Sequence, residues 1–143
     1  MLGQSFSASG EEVAGLGLID ATTDLLSKRM IGEIVSNPQL DGLTEPLTGF
    51  ANHMGSTVLG ADARPLGALT KGTGNTDKGE QVSYEGAVQG SVIATYMHGP
   101  ALARNPQLAD LLLARAMGVD VSELPPLTGQ LSDEVAQLRR ERL

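Results

Sequence analysis

Two histidines occur in this chain of 143 residues, His53 in GFANHMGS and His98 in TYMHGP, and there is no cysteine. Imidazole takes up and returns a proton near neutral pH, so each histidine is a possible general acid/base. Taken alone, His98 reads better as a hydrogen-bonded turn residue. His53 reads better as a structural residue than as a catalytic one. Neither has a carboxylate at metal-ligand spacing, so no zinc site is expected. The missing thiol excludes disulfides, thiolate metal sites and a cysteine nucleophile on this chain. The glycine-rich KGTGNTDKG, residues 71–79, suggests a phosphate cradle at first sight. It lacks the lysine-serine/threonine ending of a P-loop and no helix follows, so a surface hairpin loop is the expectation.

The elements that must position His98 lie in SVIATYMHGPALARNPQLADLLLARAMG, residues 91–118. Residues 91–97 are β-branched and apolar, which predicts a buried strand with His98 at its carboxyl end. Gly99-Pro100 should prevent both further strand pairing and an immediate helix. Asn105 is a candidate cap and Pro106 suits a first helical turn, so a helix is predicted over 105–117. Leu108, Leu111, Leu112 and Ala116 would share its buried face, and Gly118 would end it. Further strands are expected at residues 15–20, 29–36 and 48–59, the last broken by Gly55. Residues 66–71 could pair with them. A second helix is expected over 133–142, capped by Ser132, with acids early and arginines late to suit the helix dipole. Pro125-Pro126 marks the preceding residues 119–129 as a linker. The expectation is an α/β fold class, with residues 1–118 as one part and the linker and C-terminal helix, residues 119–143, as the other.

Composition narrows the function classes. A net charge of −7 with aromatics at 3% disfavours binding to nucleic acid or to an anionic membrane surface. No apolar run reaches the length of a membrane span, and no signal peptide is visible, so a cytoplasmic location is expected.

TYMHGPALARNPQLADLLLARAMG resembles the catalytic-histidine segment of class I glutamine amidotransferases of the cobyric-acid-synthase type. GLGLIDATT, RMIGEI, GFANHMGSTVLG and GTGN extend the resemblance from Leu2 to about Gly118. More narrowly, it resembles the glutaminase subunits of lipid II isoglutaminyl synthases, in which His-Gly-Pro also occurs. The resemblance implies the C-terminal part of a flavodoxin-like amidotransferase domain. In such enzymes a cysteine thiolate attacks the glutamine side-chain amide and a histidine moves the proton, a role that falls on His98. The family's nucleophile elbow would end at Leu2-Gly3, so the chain is expected to start just after it and to be inactive alone, through truncation or a misassigned start.

The same resemblance places the anchor for the glutamine α-carboxylate on Arg29, with Lys28 as the fallback if the register slips. A planar guanidinium suits that task, although an arginine here reads alone as an exposed strand-start residue. Many members carry a glutamate two residues after the histidine; here Pro100 stands there, leaving a partner's carboxylate or a dyad as alternatives. Ala51 and Ser56 also depart from the family's usual glutamate and arginine. The implied partner is a Mur-ligase-like synthetase subunit in a heterodimer, with ATP and Mg on that partner and no cofactor on this chain. The implied function is ammonia supply for amidating the D-glutamate of lipid II. A cobyric or cobyrinic acid amidotransferase and a non-catalytic module docking on a synthetase are the alternatives.

Overall fold

The computed structural model describes all of residues 1–143. The chain opens with a hairpin of β1 (Ser5–Ala8) and β2 (Glu11–Ala14). Its two turn residues, Ser9 and Gly10, have φ of 54° and 83°, the left-handed pair that matches the twist of adjoining strands. Residues 15–20, expected as a strand, are irregular. Gly17 sits at φ 65°, and the backbone of residues 15–19 bonds back to residues 1–4 instead of entering a ladder.

Two long strands carry the rest. β3 (Ala21–Pro38) and β4 (Leu47–Leu59) pair antiparallel from Ala21↔Leu59 to Ser36↔Leu47. β3 ends at the proline that lacks an N–H. β4 is not broken at Gly55; the irregularity lies across from it, where residues 26–29 of β3 bulge opposite Met54. β1 joins the start of β3 in parallel, and β5 (Gly67–Lys71) joins its end antiparallel. β6 (Tyr84–Glu85), after a 3-10 turn at Gly79–Ser83, extends β5.

The single strand expected at 91–97 is split. β7 (Ala87–Gln89) and β8 (Val92–Ala94) form a separate hairpin, and β9 (Met97–His98) crosses to the free edge of β4. Helices follow: α1 (Ala101–Arg104), α2 (Pro106–Met117) and α3 (Gln130–Arg142). Gly99-Pro100 stops the strand as expected but does not delay helix formation, because α1 starts at the next residue. α2 begins on Pro106 and ends at Gly118 with φ 70°, the left-handed terminator predicted. Its buried face is Leu108, Leu111 and Ala114, with Ala116 exposed. α3 starts before Ser132, with Gly129 at its cap position. The linker holds a capped 3-10 turn at Val121–Glu123. The result is mixed α/β.

Alternation along β4 sorts the molecule. Leu47 and Ala51 point into a core of Ile34, Leu40, Leu43, Leu66, Val88 and Met97, closed by Leu108 and Leu111 of α2. Phe50, Asn52 and Met54 point the other way and are part-exposed or exposed. No helix is long and apolar enough to cross a membrane.

Candidate active site

His98 reaches the surface from a strand of only two residues. Its partner in register is Phe50, so the two share the outward face of β4. Met97, one residue earlier, is buried against Gly49, where any Cβ would collide with the methionine side chain. A larger residue at position 49 would therefore push β9 away from β4.

The chain is fastened on both sides of this strand. After it, Arg104 is buried and its guanidinium bonds the Glu33 carboxylate and, at 2.7 Å, Thr48 Oγ1. Asn105 was expected to cap α2 but its side chain does not. Instead it accepts from the Thr48 N–H at 2.8 Å and donates to Thr48 O at 2.8 Å and Ala101 O at 2.7 Å. Its amide has the geometry of a strand partner for Thr48, and satisfying those buried backbone groups outweighs capping. α3 braces the same turn. Arg139 donates to Arg104 O and, at 2.9 Å, to Pro46 O, while Arg142 pairs with Glu33 at 3.2 Å.

Before the strand, at the crossing between β8 and β9, the Thr95 hydroxyl donates to the carboxylate of Glu85 and accepts from the Met97 N–H at 2.9 Å. Glu85 is fully buried, and burial pushes its carboxyl up to about 7 against the opposing bonds from Thr95 and the Tyr96 N–H. Tyr96 lies on the core side of β4, stacked on His53 with ring centroids 4.0 Å apart. Its hydroxyl continues to Thr57 Oγ1 at 2.8 Å and on to Thr23 Oγ1.

His53 and His98 thus occupy different environments. His53 is 8% exposed, and its Nδ1 faces the Gly55 carbonyl at 2.9 Å, so that nitrogen carries the proton. Burial lowers its pKa, the Gly55 bond opposes this, and the neighbouring His98 lowers it further. It stays neutral, with Nε2 buried and unpartnered. His98 is exposed and free to meet a ligand.

Arg29 sits in the β3 bulge, and its Nε and one terminal nitrogen reach Asn52 Oδ1 at 3.0 and 2.7 Å. Asn52 is two residues along β4 from Phe50, so His98 and Arg29 reach one face from opposite edges of β4, their strand positions about 7 Å apart along the strand and about 10 Å across it. Lys28 is exposed and Ser27 ties the bulge to Asp77 through its N–H at 3.0 Å and its hydroxyl. Glu33 is also in register with Phe50 on that face. It stands two strands from His98, about 10 Å across the sheet, and is occupied by Arg104 and Arg142.

The loop at residues 71–79 is not the surface hairpin expected. Asn75 and Thr76 are buried. Asn75 O receives the Thr57 N–H at 2.7 Å, its side chain exchanges two bonds with the backbone of Gly86, and Thr76 Oγ1 meets Ser56 Oγ at 2.7 Å. The loop locks β4 to the segment that carries Glu85. Glu85, Thr95, Arg104 and Asn105 escaped the sequence reading as supports of the site. The one available signal was a lone acid, Glu85, between apolar stretches near the His98 strand.

Residues 1–106 match the family model of the CobB/CobQ-like glutamine amidotransferase domain. The chain is 38% identical over 146 aligned positions to the lipid II isoglutaminyl synthase (glutamine-hydrolyzing) subunit GatD of Streptococcus pneumoniae, covering 96% of the chain and 53% of that protein. It is 35% identical over 116 positions to the subunit of the same name from Staphylococcus aureus, covering 80% of the chain and 44% of that protein. A cobyric acid synthase of Sphingopyxis alaskensis is 36% identical over 109 positions, or 75% of the chain and 19% of that protein. The chain therefore spans about half the length of the first two relatives and much less of the third.

Proposed function

We propose that this chain, which belongs to the CobB/CobQ-like glutamine amidotransferase family, is the histidine-bearing portion of a glutaminase that supplies ammonia for amidating the D-glutamate of lipid II. Its α/β architecture is consistent with part of a flavodoxin-like class I amidotransferase domain. The observation that carries the reading is the common outward face of His98 and Arg29, set by Phe50 and Asn52 of one strand.

In this reading the nucleophilic cysteine comes from outside these residues, since the chain has none. His98 takes the thiol proton, and the thiolate attacks the side-chain amide carbon of glutamine. The carbon–nitrogen bond breaks as His98 returns the proton to the departing ammonia, leaving a thioester that water hydrolyses. Arg29 holds the α-carboxylate of glutamine. Asn52 engages one edge of the guanidinium and leaves a terminal nitrogen for the substrate. Because Pro100 replaces the orienting acid and Glu33 is committed to two arginines, any carboxylate that orients His98 comes from a partner. That partner would be a Mur-ligase-like synthetase subunit, carrying ATP and Mg, in a cytoplasmic heterodimer. The division of the chain at Gly118 belongs to the same proposal. Residues 1–118 would form the amidotransferase part, and α3 would brace it through Arg139 and Arg142.

The identity to a cobyric acid synthase supports a second reading, amidation of a corrinoid carboxylate. Ammonia release decides the chemistry. The purified chain alone should release none from glutamine. Joined to an amidotransferase N-terminal half that carries the cysteine, it should release ammonia, and His98→Ala should abolish that release. Release that survives His98→Ala would refute the assignment. Supplying lipid II or a corrinoid acid with the cognate synthetase separates the two acceptors.

A further inference from the structure

We propose that Glu85 is a positioning residue for His98, acting through the hydroxyl of Thr95; this rests on the reading of His98 as the proton-transfer group. β9 has two residues and two ladder partners, too little pairing to fix a side chain by itself. Its direction depends on how the chain enters and leaves it. The exit is held by Arg104 and Asn105. The entry is the crossing at Thr95 and Tyr96, where the chain leaves the β7–β8 hairpin for the edge of β4.

At that crossing Glu85 receives the Thr95 hydroxyl. The Thr95 oxygen then accepts from the Met97 N–H at 2.9 Å, one residue before His98. A hydroxyl that donates to a carboxyl group is a better acceptor, so the bond from Met97 is strengthened by the one to Glu85. Glu85 is itself fixed: it lies in β6, paired with Gly67, and its successor Gly86 is locked by the Asn75 side chain. A carboxyl group with no exposed surface is an expensive residue in a core, and its second oxygen has no partner here. The bond it accepts from the crossing is the return on that cost. The path from the Gly86 anchor to His98 is therefore Glu85, Thr95, Met97 and the histidine backbone.

The test uses the whole 143-residue chain and NMR, which needs no catalysis. Thr95→Val removes the hydroxyl at nearly constant shape. It should speed exchange of the Met97 amide roughly five- to tenfold, the factor one net hydrogen bond commands. It should also shift the ring resonances of His98. Thr95→Ser should restore the wild-type pattern. Glu85→Gln keeps an acceptor oxygen and should behave as wild type, whereas Glu85→Met should mimic Thr95→Val. If Glu85→Met does not fold, the Thr95 pair decides. A folded Thr95→Val protein with unchanged Met97 exchange and His98 resonances overturns the proposal, as does a change that Thr95→Ser fails to rescue. Should His98 prove dispensable for ammonia release, this pattern would stand untouched, so the two readings fail separately.

Discussion

Glu85 should make the stability of the fold decrease as pH rises from about 5 to about 8. In the unfolded chain its carboxyl ionises near 4.5, and in the fold near about 7 because burial disfavours the charge. Below the lower value both states are protonated and there is no penalty. Between the two values the unfolded state releases its proton while the folded state keeps it, which pulls the equilibrium toward unfolding. Above the upper value the full penalty remains. The interval corresponds to about 3 kcal/mol, an order-of-magnitude figure. His53 works in the opposite sense. Its pKa is lowered by burial, so its contribution is present above the unfolded value of 6.5 and is lost as pH falls below it. The measurement is therefore a difference: urea unfolding of wild type and Glu85→Gln across that pH range, with the amide variant free of the titration. The wild-type advantage should shrink by about 2–3 kcal/mol from pH 5 to pH 8. A difference that stays flat, or that grows with pH, would refute the reasoning.

Asn105→Ala should cost about 3–4 kcal/mol in urea unfolding, because it strands the Thr48 N–H and C=O and the Ala101 C=O in a buried site. Arg139→Ala should cost about 2–3 kcal/mol, since it removes charged donors from Arg104 O and Pro46 O. It should also speed protease cleavage in residues 124–129. In a chain joined to the cysteine-bearing half, Arg29→Lys should raise KM for glutamine by roughly ten- to a hundredfold with kcat less affected, and Lys28→Ala should do little. A KM effect from Lys28→Ala alone would move the anchor by one residue.

The sequence was most legible where local chemistry decides the outcome. A terminal proline marked the end of β3, and Pro106 and Gly118 bounded α2. It was least legible where a distant hydrogen bond outbids a local preference. Residues 91–97 have the composition of one strand, but Glu85 and Thr95 divide it between two sheets. Asn105 fits a cap, but Thr48 claims its side chain. GLGLID is apolar enough for a strand, but its bonds run to residues 1–4 and Gly17 takes a left-handed turn. The site followed the same division. His98 and Arg29 were visible as residue types in a familiar segment, while the supports holding them became visible only when chain segments far apart in sequence met.

The bulge at residues 26–29 has a consequence for how this protein can change in length. Leu25 pairs with Gly55 and Met30 with His53, so two positions of odd and even number are both in step with odd positions of β4. The alternation of β3 is thus reset across the bulge, and the halves on either side keep their inward faces independently. Elsewhere in β3 or β4 a single inserted or deleted residue would turn every side chain beyond it to the opposite face, sending Ile34 or Ala51 out of the core. Within 26–29 a gain or loss of a residue is taken up by the excursion itself. Arg29 lies in that excursion, so the position of its guanidinium can move with the length of the bulge while the sheet that carries His98 stays in register.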